Sequence, residues 1–300
     1  MFKLRRFLPC AALRPYIDTY YLVEVDCPPG ATLEDMMLPE LANIRFQLEG
    51  CWDVDMGDGF KSASPEALFG FTNAPYHVRV TGRSRLFGAG LKPLGWQAIM
   101  GGSAAPYSDT CKNLADLWGP YASVGRQSLA ACATGEEMVQ VMDALLLERL
   151  TAVPKTTRAC ISAFECIMTA DDDAPMTRVD DLADQLNLSV RQVERWSRHL
   201  FGCSPKLLLR KHRFMTMLTQ HGERLAGDDW LEAADESFYD QSHFIREYKR
   251  FTGRSPGQYA RKPSELQKAV TKTLETVPDR KPGPLALKVD FVPKAASTAA

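Results

Sequence analysis

The sequence predicts an α+β protein, a mixed β-barrel followed by helices and then an all-α C-terminal domain. Three observations carry this. Short aromatic and β-branched runs broken by turn residues fill the first hundred positions. After Pro93 the apolar residues recur at helical spacing. From Thr177 to about Arg261 the chain reads as helices joined by short turns.

The strands come first. Tyr16 to Val25 is a strand, stopped by Cys27-Pro28-Pro29-Gly30. Asn43 to Leu48 alternates polar and apolar residues, as a half-buried strand does. Met56-Gly57-Asp58-Gly59 has the composition of a hairpin turn. Further short strands are predicted at Ala67–Phe71, Tyr76–Thr81 and Leu86–Leu91, enough for a small barrel or sandwich.

Short helices follow at Leu94–Met100 and Asn113–Trp118, then longer ones at Val124–Cys132 and Glu136–Leu150. The last has an apolar stripe of Met138, Val141, Met142, Leu145, Leu146 and Leu150, suited to core packing or to a dimer seam. Glu136 and Glu137 at its start and Arg149 at its end suit the helix dipole. Val153-Pro154-Lys155 marks a boundary between a sensor or dimerisation domain over 1–152 and a second domain over 155–262. A helix spans Thr156–Thr169, and Asp171-Asp172-Asp173-Ala174-Pro175 breaks it. The proline-rich residues 263–300 read as a disordered tail.

Charge is divided unevenly. Residues 1–154 hold 13 Lys and Arg against 17 Asp and Glu, whereas residues 185–262 hold 14 against 9. An acidic front and a basic rear suit a sensor joined to a nucleic-acid reader. The eight cysteines are scattered without a C-x-x-C pair, which argues against zinc and disulfide frameworks and for reduced, buried thiols in the cytoplasm. The N-terminus lacks an apolar run of signal length, and nothing has the length of a membrane span. His77, Glu40, Asp53 and Asp55 could suggest a metal site, but the two closely spaced histidines it needs are absent. No phosphate-cradling glycine loop and no G-x-S-x-G elbow is found, so neither a cofactor nor catalysis is expected.

The rear half contains two helix-turn-helix patterns, over about 177–202 and 229–253. In the first, Val179, Leu182, Ala183 and Leu186 form one apolar face, and Asn187 tolerates the left-handed turn. Ser189 caps the next helix, in which Val193, Trp196 and Leu200 face inward. Arg191, Gln192, Glu194, Arg195 and Arg198 are then left outside, with side chains suited to guanine, adenine and cytosine edges. Gly202 ends this helix and Ser204-Pro205 starts a long linker helix to about Leu225, carrying Lys206, Arg210, Lys211 and Arg213 in its first half. In the second pattern Trp230–Ser237 is a helix, Phe238-Tyr239 a turn and Asp240 a cap. Its reader helix offers Gln241, Ser242, His243 and Arg246 outward, with Lys249 and Arg250 near phosphates and Phe244, Tyr248 and Phe251 inward. Gly253 closes it, and Ser255-Pro256 opens a final short helix.

Asp240-Gln241-Ser242-His243-Phe244, followed by Lys249-Arg250-Phe251 and Gly253-x-Ser255-Pro256, resembles the second helix-turn-helix of the AraC/XylS family of bacterial transcription regulators. The resemblance covers 177–261 and implies a seven-helix domain, with Arg191, Glu194 and Arg195 at base-contacting positions of the first reader. Gln241, Ser242, His243 and Arg246 take those positions in the second. Residues 15–118 resemble, more weakly, a small uncharacterised domain found in front of this module, on Arg14-Pro15-Tyr16-Ile17, Leu38-Pro39-Glu40, Phe69-Gly70-Phe71-Thr72 and Leu91-Lys92-Pro93-Leu94-Gly95. Such front domains are often cupin-like. Ser237, Glu232 and Ser197 depart from the family pattern, since glycine, an apolar residue and phenylalanine are usual there.

The implied function is sequence-specific transcription regulation, with double-stranded DNA as partner. RNA polymerase contact, homodimerisation and a small-molecule effector stay open, and no membrane is implied. Some proteins with this module repair alkylated DNA through a methyl-accepting cysteine. Cys10 is the candidate here, without the four-cysteine zinc set that would activate it. A pure interaction protein with degenerate readers is the third alternative.

Overall fold

The computed structural model describes residues 2–28, 30–169, 178–226 and 241–261. The expected break at 171–175, the helix, turn and cap over Trp230–Asp240 including Glu232 and Ser237, and the tail over 263–300 lie outside these residues.

Ten strands build the front half: β1 Phe2–Phe7, β2 Ile17–Asp26, β3 Thr32–Met37, β4 Ala42–Glu49, β5 Trp52–Asp55, β6 Lys61–Ser62, β7 Glu66–Phe69, β8 Tyr76–Thr81, β9 Arg83–Leu91 and β10 Cys111–Asn113. They form two antiparallel sheets, a six-stranded one in the order β1-β2-β9-β4-β7-β10 and a four-stranded one in the order β3-β8-β5-β6. This is the α+β arrangement the sequence predicts, with antiparallel sheets in front and helices behind. The turn at Met56–Gly59 joins β5 to β6 as expected, with the Asp55 carboxylate accepting the N–H groups of Gly57 and Gly59.

Three expectations need correction. β1 and β3 carry too many charges to read as strands, yet β1 pairs along its whole length with β2, and β3 with β8. β4 is buried on both faces instead of one. Ile44 and Phe46 meet the helical layer, while Asn43 and Arg45 enter the space between the sheets. The polar residues in its alternating pattern therefore mark the barrel interior and not solvent. Asn113–Trp118 is split between β10 and a single helical turn, Ala115–Trp118.

Short helical segments at Pro93–Gly95, Trp96–Met100 (on the helix expected over Leu94–Met100) and Ala105–Tyr107 are followed by eight longer helices among the described residues: α1 Pro120–Ala130, α2 Gly135–Arg149, α3 Lys155–Thr169, α4 Val179–Leu186, α5 Val190–Phe201, α6 Pro205–Ala226, α7 Gln241–Thr252 and α8 Pro256–Arg261. Helix α2 begins in a full capping box, with Thr134 and Glu137 each satisfying a backbone N–H of the other. Its Met138, Met142 and Leu146 are fully buried, so its stripe is core. Asp143 on the same helix accepts the Tyr20 hydroxyl at 2.8 Å and fastens the helix to β2.

The main core is continuous across the two halves of the chain. It runs from Tyr20, Ile44, Phe87 and Trp96 through Met142 and Phe164 to Leu182, Val193, Leu200 and Leu209. A second cluster joins Phe214, Phe244, Tyr248 and Phe251 to Leu38 of the front half. Of the eight thiols only Cys203 is buried; Cys51 and Cys166 are exposed and the remainder half-buried, which corrects the expectation of buried cysteines. Among the described residues, no helix is long and apolar enough to cross a membrane.

Candidate nucleic-acid interface

The first reader is built as its sequence directs. Asn187 takes the left-handed conformation (φ 51°, ψ 46°) that turns the chain from α4 into α5. The Ser189 hydroxyl accepts the Gln192 N–H at 3.3 Å, and Gln192 Oε1 accepts the Ser189 N–H at 2.9 Å. These two bonds close a capping box. Val193 and Leu200 are buried, Trp196 is half-buried, and Ser197 is fully buried. Ser197 has a structural role, because its hydroxyl donates to the Cys203 carbonyl at 2.8 Å and ties down the chain beyond the helix.

On the outer face Arg191, Gln192, Arg195 and Arg198 are exposed and Glu194 is half-exposed. They do not stand alike. Glu194 Oε1 accepts from Arg198 Nε at 2.9 Å and from Nη2 at 2.7 Å. Ser189 and Gln192 are engaged in the cap. On the second reader helix α7, Gln241, Ser242, Arg246, Lys249 and Arg250 are exposed and His243 is half-exposed. Phe244, Tyr248 and Phe251 are buried.

Most of the basic residues of linker helix α6 are held within the fold. Arg210 forms an ion pair with the nearly buried Glu247 of α7, joining the linker to the second reader. Burial pushes His212 down to about 4, so it is neutral at physiological pH. Lys211 is buried and points into the front half. Its ammonium donates to the carbonyls of Thr72 at 2.5 Å and Glu40 at 3.2 Å. Of the four basic residues singled out on this helix, only Lys206 is exposed.

The front half also seats the ends of both readers. The Ala104 N–H donates to the His199 carbonyl at 2.9 Å, and the Ser108 hydroxyl to the Gly202 carbonyl at 2.8 Å. Carbonyls at a helix C-terminus lack partners within the helix, and here another part of the chain supplies them. Gly202 (φ 72°) and Gly253 (φ 78°), which close α5 and α7, both have the left-handed backbone that favours glycine. A Cβ at Gly202 would stand 1.9 Å from Ser108 Oγ, and one at Gly253 1.9 Å from Met36 Sδ. Gly202→Ala is therefore expected to cost about 1–2 kcal/mol in backbone strain, plus the displacement of Ser108. A thermal melt checks it; an unchanged melting temperature would contradict this seating.

Inside the barrel a cavity of about 80 Å³ has Phe2, Leu4 and Val23 among its apolar lining and Arg6, Asp18, Tyr21, Asn43, Glu40 and Arg45 on its polar side. Arg45 donates to Glu40 Oε1 at 2.5 Å, to the Tyr21 hydroxyl at 2.9 Å and to the Tyr76 hydroxyl at 2.8 Å, and lies 4.2 Å from the Phe69 ring centroid. Burial lowers the pKa of Arg6, opposed by the charges of Asp18 and Glu40, and its Nε has no hydrogen-bond partner among the described residues. Glu40 thus belongs to two systems, with its carboxylate in the cavity wall and its carbonyl on Lys211 of the linker.

Glu40, Asp53, Asp55 and His77 all have other partners. Glu40 holds Arg45, Asp53 accepts from Ser62 and Arg79, Asp55 closes the hairpin, and the His77 ring lies against Phe60. Among the described residues no cluster of His, Cys, Asp or Glu has the make-up of a metal site. Cys10 is half-buried, and its backbone N–H donates to Asp143.

Residues 182–262 match the family model described as a helix-turn-helix domain, and residues 5–113 match that of a domain of unknown function, DUF6597. No curated protein matches the chain in sequence. Among solved structures, ToxT from Vibrio cholerae O395 is similar at 11% identity and a TM-score of 0.41, over 77% of this chain and 96% of that one. An apo ToxT variant from Vibrio cholerae strain SCE256 is similar at 13% identity and a TM-score of 0.43, over 80% and 96%. A cupin superfamily protein from Desulfitobacterium hafniense DCB-2 is similar at 12% identity and 0.23, over 30% and 77%. The chain carries an AraC-type helix-turn-helix DNA-binding domain at its C-terminus, behind an N-terminal domain of unknown function.

Proposed function

We propose that this DNA-binding transcription regulator reads two adjacent major-groove segments with α5 and α7, and that occupancy of the barrel cavity modulates the reading. The observation that carries it is the outward cationic face of α5, next to a linker helix of 22 residues. At 1.5 Å per residue the linker spans about 33 Å, close to the ~34–36 Å of one turn of the duplex. The Arg210–Glu247 pair anchors α7 to that linker.

The supporting route for modulation starts at Glu40. A ligand with an acceptor oxygen would satisfy Arg6 and alter the Glu40–Arg45 pair, and the Glu40 carbonyl touches Lys211 on the linker. DNase footprinting of the full-length protein on genomic fragments tests the DNA reading. Two protected segments on one face, about one turn apart, are expected, with binding that falls steeply as salt rises. Uniform coverage without discrete segments would overturn it.

A further inference from the structure

We infer that the first reader helix recognises two guanines no more than about two base-pair steps apart, through Arg191 and Arg195. The inference rests on the DNA-reading role proposed above and names the bases it selects. Four outward side chains in the first turns of α5 or just beyond could have read bases, and the structure divides them by what they already hold.

Gln192 reads adenine only if its oxygen and its amide nitrogen engage N6 and N7 together. Its Oε1 is occupied by the Ser189 N–H at 2.9 Å, inside the capping box. Glu194 is engaged by two nitrogens of Arg198. Releasing it to accept from cytosine would leave a bare carboxylate among phosphates, where like charges repel. Arg191 and Arg195 are exposed, and neither forms a hydrogen bond or ion pair with another described residue. Each keeps its whole fork of N–H donors, which matches guanine O6 and N7.

Their spacing sets that of the bases. Positions 191 and 195 lie on one helix face, about 6 Å apart along the axis. Base pairs are stacked at ~3.4 Å, so the two forks reach bases that are adjacent or one pair apart. Val190 supplies an independent observation. It is the first residue of α5 and stands 47% exposed, an apolar side chain with no core to join. A thymine methyl is the apolar feature of the major groove that it fits.

Selection of duplexes from a randomised library by the full-length protein tests this. The enriched sequence should contain the guanine pair, with one guanine losing its preference in Arg191→Ala and the other in Arg195→Ala. Val190→Ser should relax a neighbouring thymine. Replacing each guanine by 7-deazaguanine should weaken the intact protein about 5- to 150-fold, and should weaken the matched arginine variant no further. Because both arginines are exposed, the variants should keep the parent melting temperature.

An enriched sequence without paired guanines would overturn the inference and leave the DNA-reading role standing. Arginine variants that weaken all sequences equally would make these side chains phosphate contacts and overturn it too. A cytosine preference lost in Glu194→Ala would show that Glu194 reads after all. A library with no enrichment would overturn both this inference and the sequence-specific function beneath it.

Discussion

Arg45→Met is expected to cost about 3–5 kcal/mol of folding stability, because it leaves a buried carboxylate without its cation. Glu40, with a side chain only 12% exposed, has Arg45 as its only ion-pair partner among the described residues. The Tyr21 and Tyr76 hydroxyls lose a donor at the same time, and the Phe69 ring loses the guanidinium packed on it. Burial opposes the Arg45 charge, but Glu40, Tyr21 and Tyr76 together outweigh it and hold the group more firmly protonated than usual. Adding Glu40→Gln to Arg45→Met should recover much of the loss, since the unpaired charge causes most of it. Denaturant titration of both variants checks this. A single-variant loss below about 1 kcal/mol, or no recovery in the double variant, would show that the pair is not the structural hub its geometry describes.

The second large effect is a dependence on pH traceable to Lys211. Burial pushes its pKa down to about 8, although the charges of Asp109 and Glu40 favour the ammonium. The unfolded chain holds this proton up to its ordinary value near 10.5. Between about pH 8 and 10.5 the unfolded state therefore binds more protons than the folded state, and stability rises with pH across that window. The gain is about 3 kcal/mol at most, and below pH 8 the burial of the charge is borne in full. Lys211→Met lacks this contribution, so the difference between the intact protein and the variant isolates it from other groups titrating nearby. Denaturation midpoints at pH 7.5 and 10 provide the measurement. Parallel curves for the two proteins would place the ammonium in water instead of between the domains.

How much of this was legible in the sequence depended on how local each cause was. Ser189, Asn187, Gly202 and Gly253 act within a few residues of themselves, and the structure places each in its expected cap or turn. The inward residues of α5 and α7 followed from spacing alone for the same reason. Lys211 did not, since its partners lie 171 and 139 residues away and the sequence offers only a lysine on a basic helix. The interior position of Arg45 is hidden on the same ground. An alternating strand with polar positions means solvent unless a second sheet covers it, and β3 and β8 do so from segments not paired with β4. The division of the α5 face into engaged and free side chains was also hidden. Nothing in Glu194 or Gln192 alone says that a neighbour already occupies it.

The loop at 104–108 and Leu38 bear on how such regulators can be recombined. A graft of residues 178–261 onto an unrelated front module would leave the carbonyls of His199 and Gly202 without the groups that now close them. It would also open the apolar cluster around Phe214 and Phe244 where Leu38 now covers it. A working hybrid must bring those seats along. The DNA reader and its front partner are thus joined as a single heritable piece, and drift in one constrains which changes the other can accept.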